Sequence, residues 1–138
     1  MLTGSCLCGR IAYEIDGKIG PVFYCHCTTC RKAQGGPFVI GAPVRRKYFR
    51  LISGADDVAE FESSPGKKRC FCRVCGSPVW SRRDADPEIL RLRMGTLDGD
   101  PGRRPLAHIF VGEKAPWFPI TDELPQSQGN GDDLERRE

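Results

Sequence analysis

Cys72-Arg73-Val74-Cys75-Gly76, at residues 72–76, decides how this chain is read. Two cysteines flanking two residues, followed by a glycine, form a knuckle. Both sulfurs can turn toward one ion while the backbone folds back over it. Working outward, Cys6-Leu7-Cys8-Gly9 repeats the device near the N-terminus with the same trailing glycine. The two stretches look like halves of one closed four-sulfur site. A third cluster, Cys25-His26-Cys27-Thr28-Thr29-Cys30, runs on into Arg31-Lys32-Ala33-Gln34-Gly35-Gly36 and has no matching pair. Four ligands close a structural zinc, whereas three leave a position open to a substrate.

Eight cysteines in 138 residues could instead make four disulfides, a framework of secreted chains. Met1-Leu2-Thr3-Gly4-Ser5 shows neither the basic stretch nor the apolar run of a secretory signal. The expectation is therefore metal binding in a reducing, cytoplasmic setting. Four cysteines also ligate iron–sulfur clusters, but the tight turns around these pairs favour zinc. No run approaches the ~18 apolar residues of a membrane helix.

Between the clusters, strand signals dominate. Ile11, Tyr13 and Ile15 alternate with Ala12 and Glu14 before an Asp16-Gly17 turn. Val22-Phe23-Tyr24 leads into the middle cluster, and Phe38 to Ala42 is a compact apolar run after a Gly35-Gly36-Pro37 breaker. Val58 to Phe61 and Lys68 to Phe71 flank the turn Ser63-Ser64-Pro65-Gly66. Pro78 to Ser81, Leu90 to Met94 and Leu106 to Val111 complete the set. Helical candidates are only short turns, at Thr28 to Lys32 and Arg45 to Arg50. The pattern predicts an all-β domain of short, mainly antiparallel strands over residues 1–126, stapled by metal because its core is modest.

Residues 127–138 read as a flexible acidic tail. The body before residue 121 carries nineteen Lys and Arg against twelve Asp and Glu. Those cations fall in scattered pairs, such as Arg45-Arg46 and Arg82-Arg83, and are read as a solvated basic face rather than a nucleic-acid surface. The formal charge of +3 also falls to zero once seven thiolates and two divalent ions are counted.

The three clusters with their neighbours, Gly4-Ser5-Cys6-Leu7-Cys8-Gly9, Cys25 to Ala33 and Phe71 to Ser77, resemble the glutathione-dependent formaldehyde-activating (GFA) family, which includes centromere protein V. His108-Ile109-Phe110-Val111 with Lys114-Ala115-Pro116-Trp117 is similar to that family's closing motif. The resemblance implies a small, tent-like β fold with two zinc ions. Cys6, Cys8, Cys72 and Cys75 would hold a structural one, and Cys25, Cys27 and Cys30 a substrate-facing one with catalytic duty. It also implies a carbon–sulfur lyase that joins glutathione to formaldehyde as S-hydroxymethylglutathione. The partners expected are thus a small thiol and a small aldehyde, without membrane or nucleic acid. The alternative is a non-catalytic, zinc-stapled module that binds protein or nucleic acid.

Arg31 and Lys32 are the candidates to balance a thiolate-rich site and to receive a glutathione carboxylate. Strand alternation points His26 away from Cys25 and Cys27, and His108 is read as a structural histidine. Trp80 and Trp117 are read as core or rim aromatics, and Thr28 and Thr29 as capping residues. Cys70 departs from the family pattern. It is read as a spare thiol, the alternative being a fourth sulfur for the second zinc.

Overall fold

The computed structural model describes residues 1–134, and the chain folds into two compact units. The first comprises residues 1–20 and 42–102, the second residues 21–41 and 103 onward.

In the first unit, β1 (Leu2–Ser5), β2 (Ala12–Ile15) and β5 (Phe49–Ser53) form an antiparallel sheet in the order β1-β2-β5. The Ile11–Ile15 alternation fixes its face: Ile11, Tyr13 and Ile15 are buried, and the Tyr13 ring stacks on Phe49 with centroids 5.1 Å apart. The rest of the unit is a run of hairpins, β6 (Val58–Ser64), β7 (Lys67–Cys72), β8 (Pro78–Arg83) and β9 (Asp86–Arg93), each antiparallel to the next. Val79, Leu90 and Leu92 are buried in this run.

The second unit is built on β3 (Val22–Cys25), which pairs antiparallel with the start of β4 (Val39–Arg45) and parallel with β10 (Pro105–Ile109). Between β3 and β4 lies α1 (Thr28–Gln34), the one α-helix among the described residues. It stops at Gly35, whose φ of 74° is the left-handed conformation a helix C-terminus favours, and whose N–H donates to the Arg31 carbonyl at 2.8 Å. The all-β expectation holds, and the parallel β3–β10 pair stands among mainly antiparallel ones.

Three boundaries differ from the sequence reading. The Arg45–Arg50 turn is a single 3₁₀ turn at Arg46–Tyr48 that feeds β5, a strand with no clean alternation of its own. Pairing with β2 makes it a strand, with Leu51 opposite Tyr13. β1, reading Leu-Thr-Gly-Ser, is likewise a strand by pairing rather than by pattern. β9 begins at Asp86, four residues before the expected start at Leu90, because its exposed start continues the β8 hairpin. Of the acidic tail expected from residue 127, residues 127–134 hydrogen-bond back to the chain. The Val111 N–H donates to the Ser127 carbonyl at 2.9 Å and the Phe110 N–H to the Gly129 carbonyl at 2.7 Å, and Ser127 is buried. Residues 135–138 of that tail lie outside the described residues.

Candidate functional site

The first unit gathers Cys6, Cys8, Cys72 and Cys75 from its two knuckles, all four sulfurs within 4.8 Å of one another. Gly9 and Gly76 have φ of 80° and 76°, and a Cβ at either would meet no atom within 4 Å. Backbone handedness, not crowding, therefore requires glycine at both places. Each folds its turn back by donating from its N–H, Gly9 to the Cys6 carbonyl at 3.1 Å and Gly76 to the Cys72 carbonyl at 2.8 Å. The turns also aim N–H groups at sulfur: Ile11 at Cys6 (3.3 Å), and Val74 and Cys75 at Cys72 (both 3.4 Å).

The sulfurs of Cys6 and Cys8, and those of Cys8 and Cys72, are 3.7 Å apart. A disulfide would bring them to ~2.05 Å. A tetrahedron with ~2.3 Å zinc–sulfur bonds has edges of ~3.8 Å, so the spacing fits four thiolates around one ion. Electrostatics agree. On Cys8 an N–H from Arg10 acts downward, but burial and hydrogen bonds to Cys6, Cys72 and Cys75 push the thiol up to about 11. On Cys75 burial acts upward and is outweighed by backbone donors at Cys8 and Ser77, bringing it to about 6. Packed sulfurs resist sharing that much negative charge until a cation joins them.

The second unit gathers three sulfurs, Cys25, Cys27 and Cys30, again within 4.8 Å. β3 delivers Cys25 at its end, Cys27 is the N-cap of α1, and Cys30 lies in the helix and is buried. The Cys27 sulfur accepts the Cys30 N–H at 3.3 Å, so a single side chain both caps the helix and faces the cluster. Hydrogen bonds with Cys27 and Cys30, then burial, push the Cys25 thiol strongly up. Among the described residues no fourth Cys, His, Asp or Glu joins this group, and Cys70 joins neither. Cys70 is buried on β7 and donates to Glu60 Oε2 at 3.4 Å. Burial and that carboxylate push its thiol up to about 12.

Arg31 and Lys32 follow on α1, where Lys32 is exposed and Arg31 half-buried. The Arg31 Nη2 reaches the Thr28 hydroxyl at 3.5 Å, and its Nε is buried with no hydrogen-bond partner. Trp80 packs on Phe49 at 5.4 Å between centroids, while Trp117 is exposed.

A hydrogen-bonded chain in the second unit escaped the sequence reading. His26 Nε2 and His108 Nδ1 are 2.7 Å apart, and His108 Nε2 lies 3.0 Å from the Asp122 carboxylate. The His108 bond holds the Asp122 carboxyl below its usual range, so the carboxylate accepts and His108 Nε2 donates. For a neutral pair, His108 Nδ1 then accepts from His26 Nε2–H, and His26 Nδ1 is left as a buried lone pair without a partner. Burial first, then positive charge in its surroundings, pulls His26 down to about 4 and keeps it neutral. Tyr24 stacks on His108 (4.7 Å) and Phe38 sets its edge against His26 (5.3 Å), walling the pair off. Sequence alone offers no signal for this chain, because its partners lie 82 and 14 residues apart.

A short-stranded β fold with one four-sulfur and one three-sulfur cluster defines a class of cysteine-stapled proteins whose second cluster is coordinatively incomplete. Residues 1–113 match the family described as glutathione-dependent formaldehyde-activating enzyme, and the chain belongs to that family. A Halomonas elongata protein carrying the provisional name of a glutathione-dependent formaldehyde-activating enzyme is 28% identical over 129 residues, covering 87% of this chain and 81% of its own. A lyase of Schizosaccharomyces pombe, named as uncharacterised, is 29% identical over 77 residues, 56% of this chain and 54% of that protein. The crystal structure of a Rhodobacter sphaeroides protein matches with a TM-score of 0.60 at 27% identity, over 71% of this chain and 89% of that one. No helix among the described residues is long and apolar enough to cross a membrane.

Proposed function

We propose that this chain is a zinc-dependent carbon–sulfur lyase that binds a small thiol, glutathione by family, at Cys25, Cys27 and Cys30 and promotes its addition to formaldehyde. The observation that carries the reading is the three-sulfur cluster with no fourth protein ligand among the described residues. Soft sulfur donors suit zinc, and the same ion in the cluster of Cys6, Cys8, Cys72 and Cys75 would be structural. When bound at the three-sulfur cluster, zinc offers an open position that keeps a thiol sulfur deprotonated at neutral pH.

The chain's own residues supply the rest. Cys27 is fixed by the helix it caps and Cys25 by its strand, so the cluster is held in place before substrate arrives. Arg31 and Lys32 set positive charge beside a sulfur-rich site, and the exposed Lys32 ammonium with the Arg31 guanidinium would receive a glutathione carboxylate. In the reaction the thiol sulfur forms a bond to the aldehyde carbon. The carbonyl π bond breaks, and its oxygen takes up a proton equal to the one the thiol lost. A reducing cytoplasm, where thiols persist, is the setting this chemistry needs.

The test is metal content together with sulfur coordination by X-ray absorption, with and without glutathione. Two zincs per chain, with average sulfur coordination rising when glutathione is added, are expected. A second site already saturated with four sulfurs and indifferent to glutathione would overturn the reading.

A further inference from the structure

Strand register collects basic residues that look scattered in sequence. On β7, β8 and β9, Lys67 lies opposite Arg83, and Arg69 lies opposite Ser81, which in turn lies opposite Arg91. Directly paired residues share a face, and Arg93 sits two residues beyond Arg91 on it. One face of this ribbon thus bears five cations around one buried serine. This face has Asp86 opposite Arg83, whereas on the other face Lys68 and Arg82 are each held by carboxylates. Lys68 pairs with Asp84 at 2.9 Å and Arg82 with Glu60 at 2.7 Å. Lys67, Arg83 and Arg91 make no ion pair among the described residues.

Two buried polar atoms in the central row also lack partners. Ser81 is fully buried and its Oγ makes no hydrogen bond, and the Arg91 Nη1 is buried without an acceptor. Burial, then the charges of Arg91, Arg83, Arg93 and Arg69, pull the Lys67 amine down to about 8. Burial and Arg83 act in the same direction on Arg91, with Asp86 opposing them. Unpaired buried donors amid like charge are costly, and a bound anion is the partner that satisfies both defects at once. Other contacts orient two of these arginines. Arg69 Nε donates to the Ser63 hydroxyl at 3.0 Å, and Arg93 Nη1 to the Arg91 carbonyl at 3.3 Å.

Size selects the ligand. Two residues along a strand span ~7 Å and three adjacent strands ~10 Å, room for one or two phosphoryl groups but not for a length of nucleic-acid backbone. Guanidinium forks match the paired oxygens of such groups. We propose that this face of β7–β9 is a binding site for a small phosphate-bearing anion of the diphosphate class, held by Lys67, Arg69, Ser81, Arg83 and Arg91. It lies wholly in the first unit and needs nothing from the three-sulfur cluster.

The test is calorimetric titration of the metal-loaded full chain with inorganic diphosphate at fixed ionic strength, repeated with orthophosphate and adenosine diphosphate. Saturable one-to-one binding is expected, weakened about tenfold or more in Arg91→Met and unchanged in Arg50→Met, an exposed arginine that pairs with Glu14 in the β1-β2-β5 sheet. Arg83→Met, at the exposed rim, is the second variant should Arg91→Met lose its fold, and it too should weaken binding. Equal affinity for diphosphate and the nucleotide identifies the free anion as sufficient, and tighter nucleotide binding identifies a phosphorylated metabolite. Either outcome supports the site. Absence of saturable binding, or equal loss in Arg50→Met and Arg91→Met, overturns it.

Discussion

The two sulfur clusters are made of the same side chain and, on the proposed reading, do opposite work. In the first, two knuckles from chain segments more than sixty residues apart converge, so the cluster is a cross-link that exists only when the unit is folded. In the second, all three sulfurs lie within six consecutive residues at the junction of β3 and α1, so the cluster is local and closes almost no loop. A long-range, complete ligand set stabilises a fold, whereas a local, incomplete one presents a reactive position. The number of ligands and the chain distance between them thus separate staple from site.

That contrast breaks first at Cys72. It is fully buried, sits 3.7 Å from the Cys8 sulfur and accepts two N–H groups of its knuckle. Metal binding to such a site carries of order 10 kcal/mol of folding free energy, comparable with the whole stability of a small domain. Cys72→Ser is expected to abolish the cooperative thermal transition seen by circular dichroism. A transition within a few degrees of wild type would mean that the cluster is no staple.

The matching change in the second cluster, Cys27→Ser, should leave the fold standing. Serine is among the best N-caps, so its Oγ can take over the Cys30 N–H that the Cys27 sulfur now accepts. The expected result is a folded protein that holds one zinc instead of two and shows no saturable glutathione binding by calorimetry. Retention of both zincs with unchanged glutathione affinity would erase the proposed difference between the clusters.

Much of this was legible in the chain itself, for a physical reason. Knuckle spacing, trailing glycines and strand alternation are local properties, and local geometry enforces them, as the left-handed Gly9 and Gly76 show. What stayed hidden depends on pairing. β5 and β1 have no clean alternation and are strands only because β2 lies beside them. The basic residues of β7–β9 looked like isolated pairs until register put alternate members on one face. His26, His108 and Asp122 come together only because β3 and β10 run parallel, with Tyr24 opposite His108.

That histidine chain sharpens the comparison, because the first cluster has nothing like it. Asp122→Asn replaces an obligate acceptor with a group that can also donate, which unfixes the His108 tautomer and hence the orientation of His26 between Cys25 and Cys27. Loss of such an outer partner typically weakens a metal site ~10–100-fold. A loss of about tenfold in zinc affinity is expected for the second zinc alone, together with altered imidazole ¹⁵N shifts for both histidines. Equal weakening of both zincs would show that the residue acts on global stability.

The smallest effect belongs to the eighth cysteine, and it tests whether sulfur as such matters here. Cys70 lies two residues from Cys72 on the same strand, yet its Sγ donates to Glu60, which Arg82 holds at 2.7 Å. A thiol pushed up to about 12 by burial and an adjacent carboxylate is almost wholly protonated at pH 8, so it should neither bind metal nor alkylate. In the metal-loaded protein, iodoacetamide at pH 8 should leave Cys70 unmodified by peptide mass mapping. Cys70→Ser keeps a donor for Glu60 and loses only the larger, softer sulfur, at a cost of about 1 kcal/mol. Zinc content should stay at two. Loss of a zinc in this variant would make Cys70 a ligand after all, and would close the site whose openness the proposed chemistry requires.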